Sequence, residues 1–363
     1  MTRKALVTGA SGFIGQHLAK YLRQIGWDVR CLVRPTSNKA PFEQDGFELT
    51  EGSLSDLESL QRAVEGTDAV FHLAGATKAL RKKTLWDVNE SGSRLLAKAC
   101  ADAQTPPTLV AVSSLAAGGP LVAMKPGEDV PQTYRLGRYR VRRETDPTEP
   151  VSNYGRSKLA GERAIAAFAD QVPISIVRPP IVIGPGDRDG FEMFRTISTM
   201  GLHLVPGWWP SLFSVIHVED LAQTLATVAV HGERCSPRTG CLEHAREATP
   251  DEYGQGVYFV SDPETVTYAE LGKMIGRAIG KTKVRCIQVP PRVVRATAMI
   301  NQGLSYLRGK PHILGVDKSR EAIANGWACD PGKLLRAGEL QLKNDLQTRL
   351  NQTASWYREH GWL

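Results

Sequence analysis

Along the first half of the chain, short uninterrupted apolar runs alternate with segments in which apolar residues recur every three or four positions. The runs predict strands at Ala5–Val7, Trp27–Arg34, Phe47–Thr50, Ala69–Gly75 and Thr108–Ser114. The periodic segments predict helices over Phe13–Ile25, from the N-cap residue Asp56 towards Val64, over Leu85–Ala103 with Asn89 part-way along, and from Asn153 to about Phe168. Apolar runs that alternate with helices indicate a parallel sheet buried between two helical layers. After a strand from Val257 to Ser261 the chain reads as helical, over Tyr268–Ile279, Pro291–Leu307 and a last helix ending at His360. The expected fold is α/β, a doubly wound parallel sheet followed by a smaller, mostly helical C-terminal lobe.

The first strand runs straight into Thr8-Gly9-Ala10-Ser11-Gly12-Phe13-Ile14-Gly15. Glycines at 9, 12 and 15 let the backbone turn sharply and approach a ligand closely, while the N–H groups at the helix start attract an anion. A dinucleotide pyrophosphate fits this strand, turn and helix, although glycines also mark ordinary turns. The second strand ends on Arg34. An acidic side chain there would take the ribose hydroxyls of NAD, whereas an arginine pairs with a 2'-phosphate. Arg34, helped by Lys39, therefore points to NADP over NAD; a solvated strand-end arginine is the plainer alternative.

With 363 residues, 42% hydrophobic and 23% charged, the chain has the composition of a globular protein of one large domain with a substantial lobe, or of two domains. No apolar stretch approaches the roughly 20 residues of a membrane helix, and Met1-Thr2-Arg3-Lys4 leads into the first strand without a signal-peptide core. A cytoplasmic protein with no membrane span is expected. The net charge of +7 and pI of about 9.1 are spread along the chain without a DNA- or RNA-binding motif. An anionic cofactor or substrate accounts for that charge, and no nucleic-acid partner is expected. The six cysteines include no C-x-x-C pair, so neither a metal site nor a disulfide framework is indicated. Cys235 and Cys241 lie in a segment, 232–254, that reads as a surface excursion, and are expected as two free thiols.

Candidate chemistry gathers at the strand ends. Ser113 and Ser114 close a strand at its carboxyl end, where ligands bind in such sheets. Tyr154 and Lys158 stand four apart on one helix face. The same spacing recurs at Tyr306 and Lys310, there without a glycine loop. His72, inside a buried strand, is read as hydrogen-bonded core before it is read as a base. Arg135, Arg138, Arg140, Arg142 and Arg143 crowd the irregular stretch Leu121–Pro150. They are read as a solvated charge run, with recognition of an acidic substrate group as the sharper alternative.

Taken together, the glycine turn at 8–15, His72-Leu73-Ala74-Gly75, Asn89, the Ser113-Ser114 strand end and Tyr154-x-x-x-Lys158 resemble the extended short-chain dehydrogenase/reductase superfamily, also called the NAD-dependent epimerase/dehydratase family. Further matches lie in Arg178 to Gly186 and Val215 to Ala222, and insertions at about 124–148 and 232–254 depart from the pattern. The resemblance implies a Rossmann-type dinucleotide-binding domain over 1–178, with segments 214–231 and 256–261 returning to it. A substrate-binding lobe would comprise 179–213 and 262–363. It implies Tyr154 as general acid/base, Lys158 as the cation that lowers its pKa and holds the nicotinamide ribose, and Ser114 as a hydrogen-bond partner of the reacting oxygen. A free tyrosine has a pKa near 10, so a neighbouring cation is needed before it exchanges protons efficiently near neutral pH. The cofactor would lie against Gly9, Ser11, Gly12, Phe13, Ile14, Gly15, Arg34, Leu54, Leu73, Ala74, Asn89, Lys158 and Pro179. Homodimers are common in the family.

Two departures narrow the branch. Dehydratases of the family carry an acidic pair directly after the residue equivalent to Ser114, where this chain has Leu115 and Ala116. Many nucleotide-sugar epimerases place an asparagine donor in the segment occupied here by Arg178-Pro179-Pro180, and proline has no donor to offer. The double proline is closer to 3β-hydroxysteroid dehydrogenases and dihydroflavonol reductases. Phe191, Phe194, Leu202, Leu204, Trp208, Trp209 and Phe213 are expected to line an apolar substrate site, or else to pack the smaller lobe. The expected activity is NAD(P)-dependent interconversion of a secondary alcohol and a ketone on a mainly apolar small molecule. A nucleotide-sugar epimerase with tightly held NAD and a non-catalytic cofactor-binding protein are the alternatives.

Overall fold

Seven parallel strands form the central sheet: β1 (Lys4–Thr8), β2 (Asp28–Val33), β3 (Glu48–Glu51), β4 (Ala69–His72), β5 (Thr108–Val112), β6 (Ile174–Arg178) and β7 (Val257–Phe259). Their order across the sheet is β7-β6-β5-β4-β1-β2-β3, so the winding direction reverses between β1 and β4. The computed structural model behind this description covers residues 2–37, 39–208, 210–236, 254–309 and 314–363. Trp209, Cys241 and most of the 232–254 segment lie outside the described residues.

Among the described residues the longer helices are α1 (Phe13–Gln24), α2 (Leu57–Val64), α3 (Gly92–Ala101), α4 (Asn153–Ala166), α5 (Arg188–Met200), α6 (Val218–His231), α7 (Tyr268–Ala278), α8 (Pro291–Arg308), α9 (Val316–Ala322) and α10 (Leu346–Glu359). Successive residues of one strand feed opposite cores. Ala5 and Val7 pack with α1 and α6, while Leu6 between them packs with α2 and α3. Both faces of the strand are therefore dry, which is why its sequence is apolar without interruption. Asp56 caps α2 as its sequence position suggests, its carboxylate accepting the Ser59 N–H at 3.3 Å.

A third core belongs to the C-terminal lobe and is built by α5, α7 and α10 around Phe194, Ile197, Leu271, Ile275, Leu350 and Tyr357. The strand Val215–His217 pairs with Ile181–Ile183 outside the central sheet, whereas α6 directly after it packs on α1.

Three expectations are corrected. The helix expected over Leu85–Ala103 begins at Lys82, runs to Trp86, passes through one π turn at Asp87–Ser91 and continues as α3. The arginine-rich stretch is solvated only in part: Arg135 and Arg138 are exposed, but Arg140 is buried and forks onto Asp146 through two 2.8 Å bonds. Arg142, also buried, donates to the Pro120 and Pro147 carbonyls, and its own backbone N–H reaches Ala328. Both guanidiniums satisfy loop groups that would otherwise be buried without partners. Cys235 is likewise no surface thiol, being buried with its thiol towards the Gly256 carbonyl at 3.8 Å.

Candidate active site

The site opens at the carboxyl ends of β1 and β4, where the strand order reverses. Gly9 has φ +71°, and a Cβ there would stand 2.6 Å from the Ala74 backbone nitrogen; one at Gly15 would stand 2.3 Å from the Gly9 carbonyl oxygen. The turn is thus packed on the β4 loop and on the first turn of α1. Gly12 caps α1 without a side chain, and no acidic residue occupies the helix's first turn. The positive end of the helix consequently faces a cleft of ≈950 Å³. The cleft is lined by Gly9, Ser11, Gly12, Phe13, Ile14 and Gly15, and further in by Leu73, Ser114, Tyr154, Lys158 and Pro179. A side-chain-free turn beneath a helix N-terminus fits the pyrophosphate of a dinucleotide.

Three candidate catalytic side chains meet at the inner end. Ser114 follows β5 and caps a short helix, Leu115–Gly118, its hydroxyl accepting the Ala116 N–H at 3.1 Å. The same hydroxyl neighbours the Tyr154 phenol. Burial pushes that phenol above the usual tyrosine value, while the neighbouring Ser114 hydroxyl and the Lys318 ammonium act in the opposite direction. Lys158, one turn along α4, donates to the Val112 carbonyl at 2.8 Å, and burial pushes its pKa down to about 8, against the attraction of Glu162.

The frame around α4 explains their positions. Ser152 accepts the Gly155 N–H at 2.9 Å and donates to Glu321 of α9 at 2.5 Å. Asp317, also on α9, accepts the N–H groups of Asn153 and Tyr154. Lys318 lies 5.9 Å from the centre of the Tyr154 ring. Lys318 is therefore a further cation bearing on the phenol, one that the Tyr154-x-x-x-Lys158 spacing does not mark. No short-range signal marks Asp317, Lys318 and Glu321 as neighbours of Tyr154, which precedes them by more than 160 residues.

Asn89 and His72 stand behind the cleft wall. The Asn89 amide accepts the Ala76 N–H at 2.8 Å and donates to the Ala76 carbonyl and to Ser157, both at 2.9 Å. It thereby ties the loop after β4 to α4 and does not line the cleft. His72 is bonded to Thr8 at 2.8 Å and Ser93 at 2.9 Å, and burial pushes its pKa down to about 3. It is core, as its place in a buried strand suggests.

Other candidates are spread more widely. Arg34 is exposed, directly after the end of β2 and two positions beyond Leu32, the register partner of Thr8. Lys39 is paired with Glu51 at the end of β3. Ala74 touches Gly9 through its backbone, while Leu54 packs against Gly92 of α3. Those of the apolar residues expected to line a substrate site that are described, all but Trp209, do not line this cleft. Phe194 is core, Phe191 stacks edge-on with Tyr357 and Trp362, Phe213 packs on Tyr268, and Leu204 and Trp208 are exposed.

A second cleft of ≈440 Å³ adjoins the first, and Thr77, Tyr154 and Asp189 line both. Its wall mixes Ala79, Leu80, Leu85 and Val316 with Lys78, Ser305, Tyr306 and Lys318. Tyr154 thus stands where the larger, anion-attracting cleft meets a smaller compartment of mixed polarity.

Comparison with known proteins agrees with this geometry. The model of the NAD dependent epimerase/dehydratase family matches residues 5–238. The chain is 30% identical over 359 residues to the ceramide reductase of Caulobacter vibrioides, covering 98% of this chain and 95% of that protein. It is 24% identical over 366 residues to sterol demethylase protein B of Methylococcus capsulatus, covering 99% of each. Among solved structures, the dTDP-glucose 4,6-dehydratase DesIV of Streptomyces venezuelae, with NAD and TYD bound, superposes with a TM-score of 0.70 at 19% identity, covering 99% of this chain and 98% of that one.

Proposed function

This chain belongs to the NAD dependent epimerase/dehydratase family and is an NAD(P)-dependent enzyme of the extended short-chain dehydrogenase/reductase type; from that premise we propose that it interconverts a secondary alcohol and a ketone on a mainly apolar small molecule, with NADP as cofactor. The observation that carries the reading is the Tyr154 phenol, set beside Ser114 and Lys158 in the larger cleft at its junction with the smaller one. The relative named as a ceramide reductase supports an apolar substrate, and Arg34 supports a phosphorylated ribose.

Gly9, Gly12, Gly15 and the start of α1 would hold the pyrophosphate, with Lys158 at the nicotinamide ribose and Leu73 and Pro179 beside it. Bound there in its reduced form, the dinucleotide supplies a hydride to the carbonyl carbon. Tyr154 gives its phenolic proton to the carbonyl oxygen, and the Ser114 hydroxyl holds that oxygen in place. Lys158, with its pKa near 8, exchanges a proton readily close to neutral pH. Lys318 favours the phenolate left after transfer. The alcohol leaves through the smaller cleft, and the reverse sequence oxidises it.

The test is oxidation of added NADPH with a panel of long-chain ketones that carry a polar head. Turnover should consume NADPH stoichiometrically, and Tyr154→Phe should lower it by about 10² to 10⁴ while NADPH still binds. Unchanged turnover in Tyr154→Phe refutes the assignment. Turnover of a nucleotide sugar without added cofactor would instead identify an epimerase.

A further inference from the structure

Helix α8 carries a face that the described residues leave uncovered. Inward it buries Val294, Ala298 and Ser305; outward it presents Val293, Met299, Ile300, Leu304 and Leu307, with Ile300 66% and Leu307 85% exposed. From Ala296 to Leu307 the helix has no charged residue. Further exposed apolar residues lie on the paired strands Leu202–Pro206 and Arg285–Val289, the second of which leads into α8. There the register partners Leu204 and Ile287 are both exposed, as is Trp208, whose carbonyl accepts from Gln288. Surfaces of this kind on a water-soluble protein are ordinarily interrupted by charges.

Charge is distributed to match. Between residues 271 and 316 the chain has nine Lys or Arg and no Asp or Glu, more positive charge than its whole net of +7. The even spread expected from composition is thereby corrected. Arg292 and Arg295 precede the uncharged stretch, Arg308 follows it, and all three are exposed, as is Arg285 on the adjoining strand.

We propose that α8, with Leu204, Trp208 and Ile287, docks this protein on an anionic lipid surface, the helix lying in the headgroup plane. An apolar stripe bracketed by arginines is the pattern of interfacial helices, in which burial of the stripe adds to attraction by acidic headgroups. A second copy of the chain is a poorer occupant, since two α8 helices would meet arginine to arginine with no acid between residues 271 and 316 to pair them. The helix lies in the interface and does not cross it, for no helix among the described residues is long and apolar enough to span a membrane. Gln302, Ser305 and Tyr306 of α8 also line the smaller cleft, so docking would hold that cleft beside the lipid. Entry of an amphiphilic ketone by this route rests on the reductase reading; the docking does not.

The experiment is co-sedimentation with phosphatidylcholine vesicles, with and without about 30 mol % phosphatidylglycerol. Wild-type protein should sediment with the anionic vesicles, less with neutral ones, and less again at roughly 0.5 M salt. Ile300→Glu/Leu307→Glu should lower partition by roughly 100-fold while its thermal transition and NADPH binding stay as in wild type, because neither residue lines a cleft. Wild-type protein that ignores anionic vesicles, or a double variant that binds them equally, overturns the proposal. So does a lipid-free dimer that the double variant converts to monomer, which would assign the face to a second copy. Because vesicle binding is read without turnover, failure of the reductase assignment leaves this result standing.

Discussion

The Asp317 carboxylate accepts hydrogen bonds from the backbone N–H groups of Asn153, at 2.7 Å, and Tyr154, at 3.1 Å, so a residue of the C-terminal lobe caps the helix that presents Tyr154 and Lys158. A carboxylate at that point satisfies two donors that the helix cannot and complements its positive end. Asp317→Ala should cost about 1 kcal/mol of stability, the ordinary effect of losing a cap. It should also lower kcat more than it weakens NADPH binding, because the loosened first turn carries Tyr154 and not the glycine turn. Calorimetry with steady-state kinetics checks both, and Asp317→Asn should restore part of each.

What was legible in the sequence is what local pattern encodes. The run Ala5-Leu6-Val7, the glycine turn and α1 are contiguous, and Tyr154 and Lys158 are one turn apart, so their arrangement follows from strand and helix periodicity. The π turn around Asn89 was not legible, because its side chain is engaged by Ala76 and Ser157, the latter 68 residues away. Phe191 and Phe194 read as a substrate lining because their partners, Tyr357 and Trp362, enter the lobe core from the far end of the chain. Arg140 and Arg142 read as solvated because only the folded loop brings Asp146 and the Pro120 carbonyl to them. The cofactor groove is built from neighbours in sequence, and the walls of the smaller cleft are not.

Lys158 should be destabilising to the protein without cofactor. The folded chain releases the lysine proton near pH 8, whereas an unfolded lysine does so near 10.5. Between those values the unfolded state binds more protons, so this group makes stability rise with pH across that window; below it the penalty for holding the charge is complete. Lys158→Met should therefore be more stable than wild type at pH 7, by roughly 1 to 3 kcal/mol, and the difference should shrink as pH passes from 8 towards 10.5. Activity should be lost at every pH. Denaturant melts at several pH values, paired with turnover, test the two halves independently.

Arg34 sets the cofactor preference under the proposed reading. It follows β2 at the carboxyl edge of the sheet, exposed, whereas Lys39 is already engaged by Glu51. Arg34→Ala should weaken NADPH binding about tenfold and leave NADH binding nearly unchanged, the loss of one charge-assisted contact to a 2'-phosphate. Titration of both cofactors into wild type and variant measures it. Equal weakening of the two would show that Arg34 serves the loop and not the phosphate.

Glu162 couples the stability of the fold to the titration of the site. It forms a doubly hydrogen-bonded pair with Arg178 on β6, at 2.9 and 2.6 Å, with both side chains 2% exposed. Its charge also favours the protonated form of Lys158 one turn away on α4. Glu162→Gln leaves a buried guanidinium facing a neutral amide, and breaking a buried pair from one side costs about 3 to 5 kcal/mol. The same change removes an anion that holds the Lys158 proton, so the lysine must release it below pH 8. If catalysis requires protonated Lys158, the alkaline limb of the kcat profile should move to lower pH in the variant. A purely structural role predicts less folded protein with that limb in place, and the pH profile of the protein that remains folded separates the two.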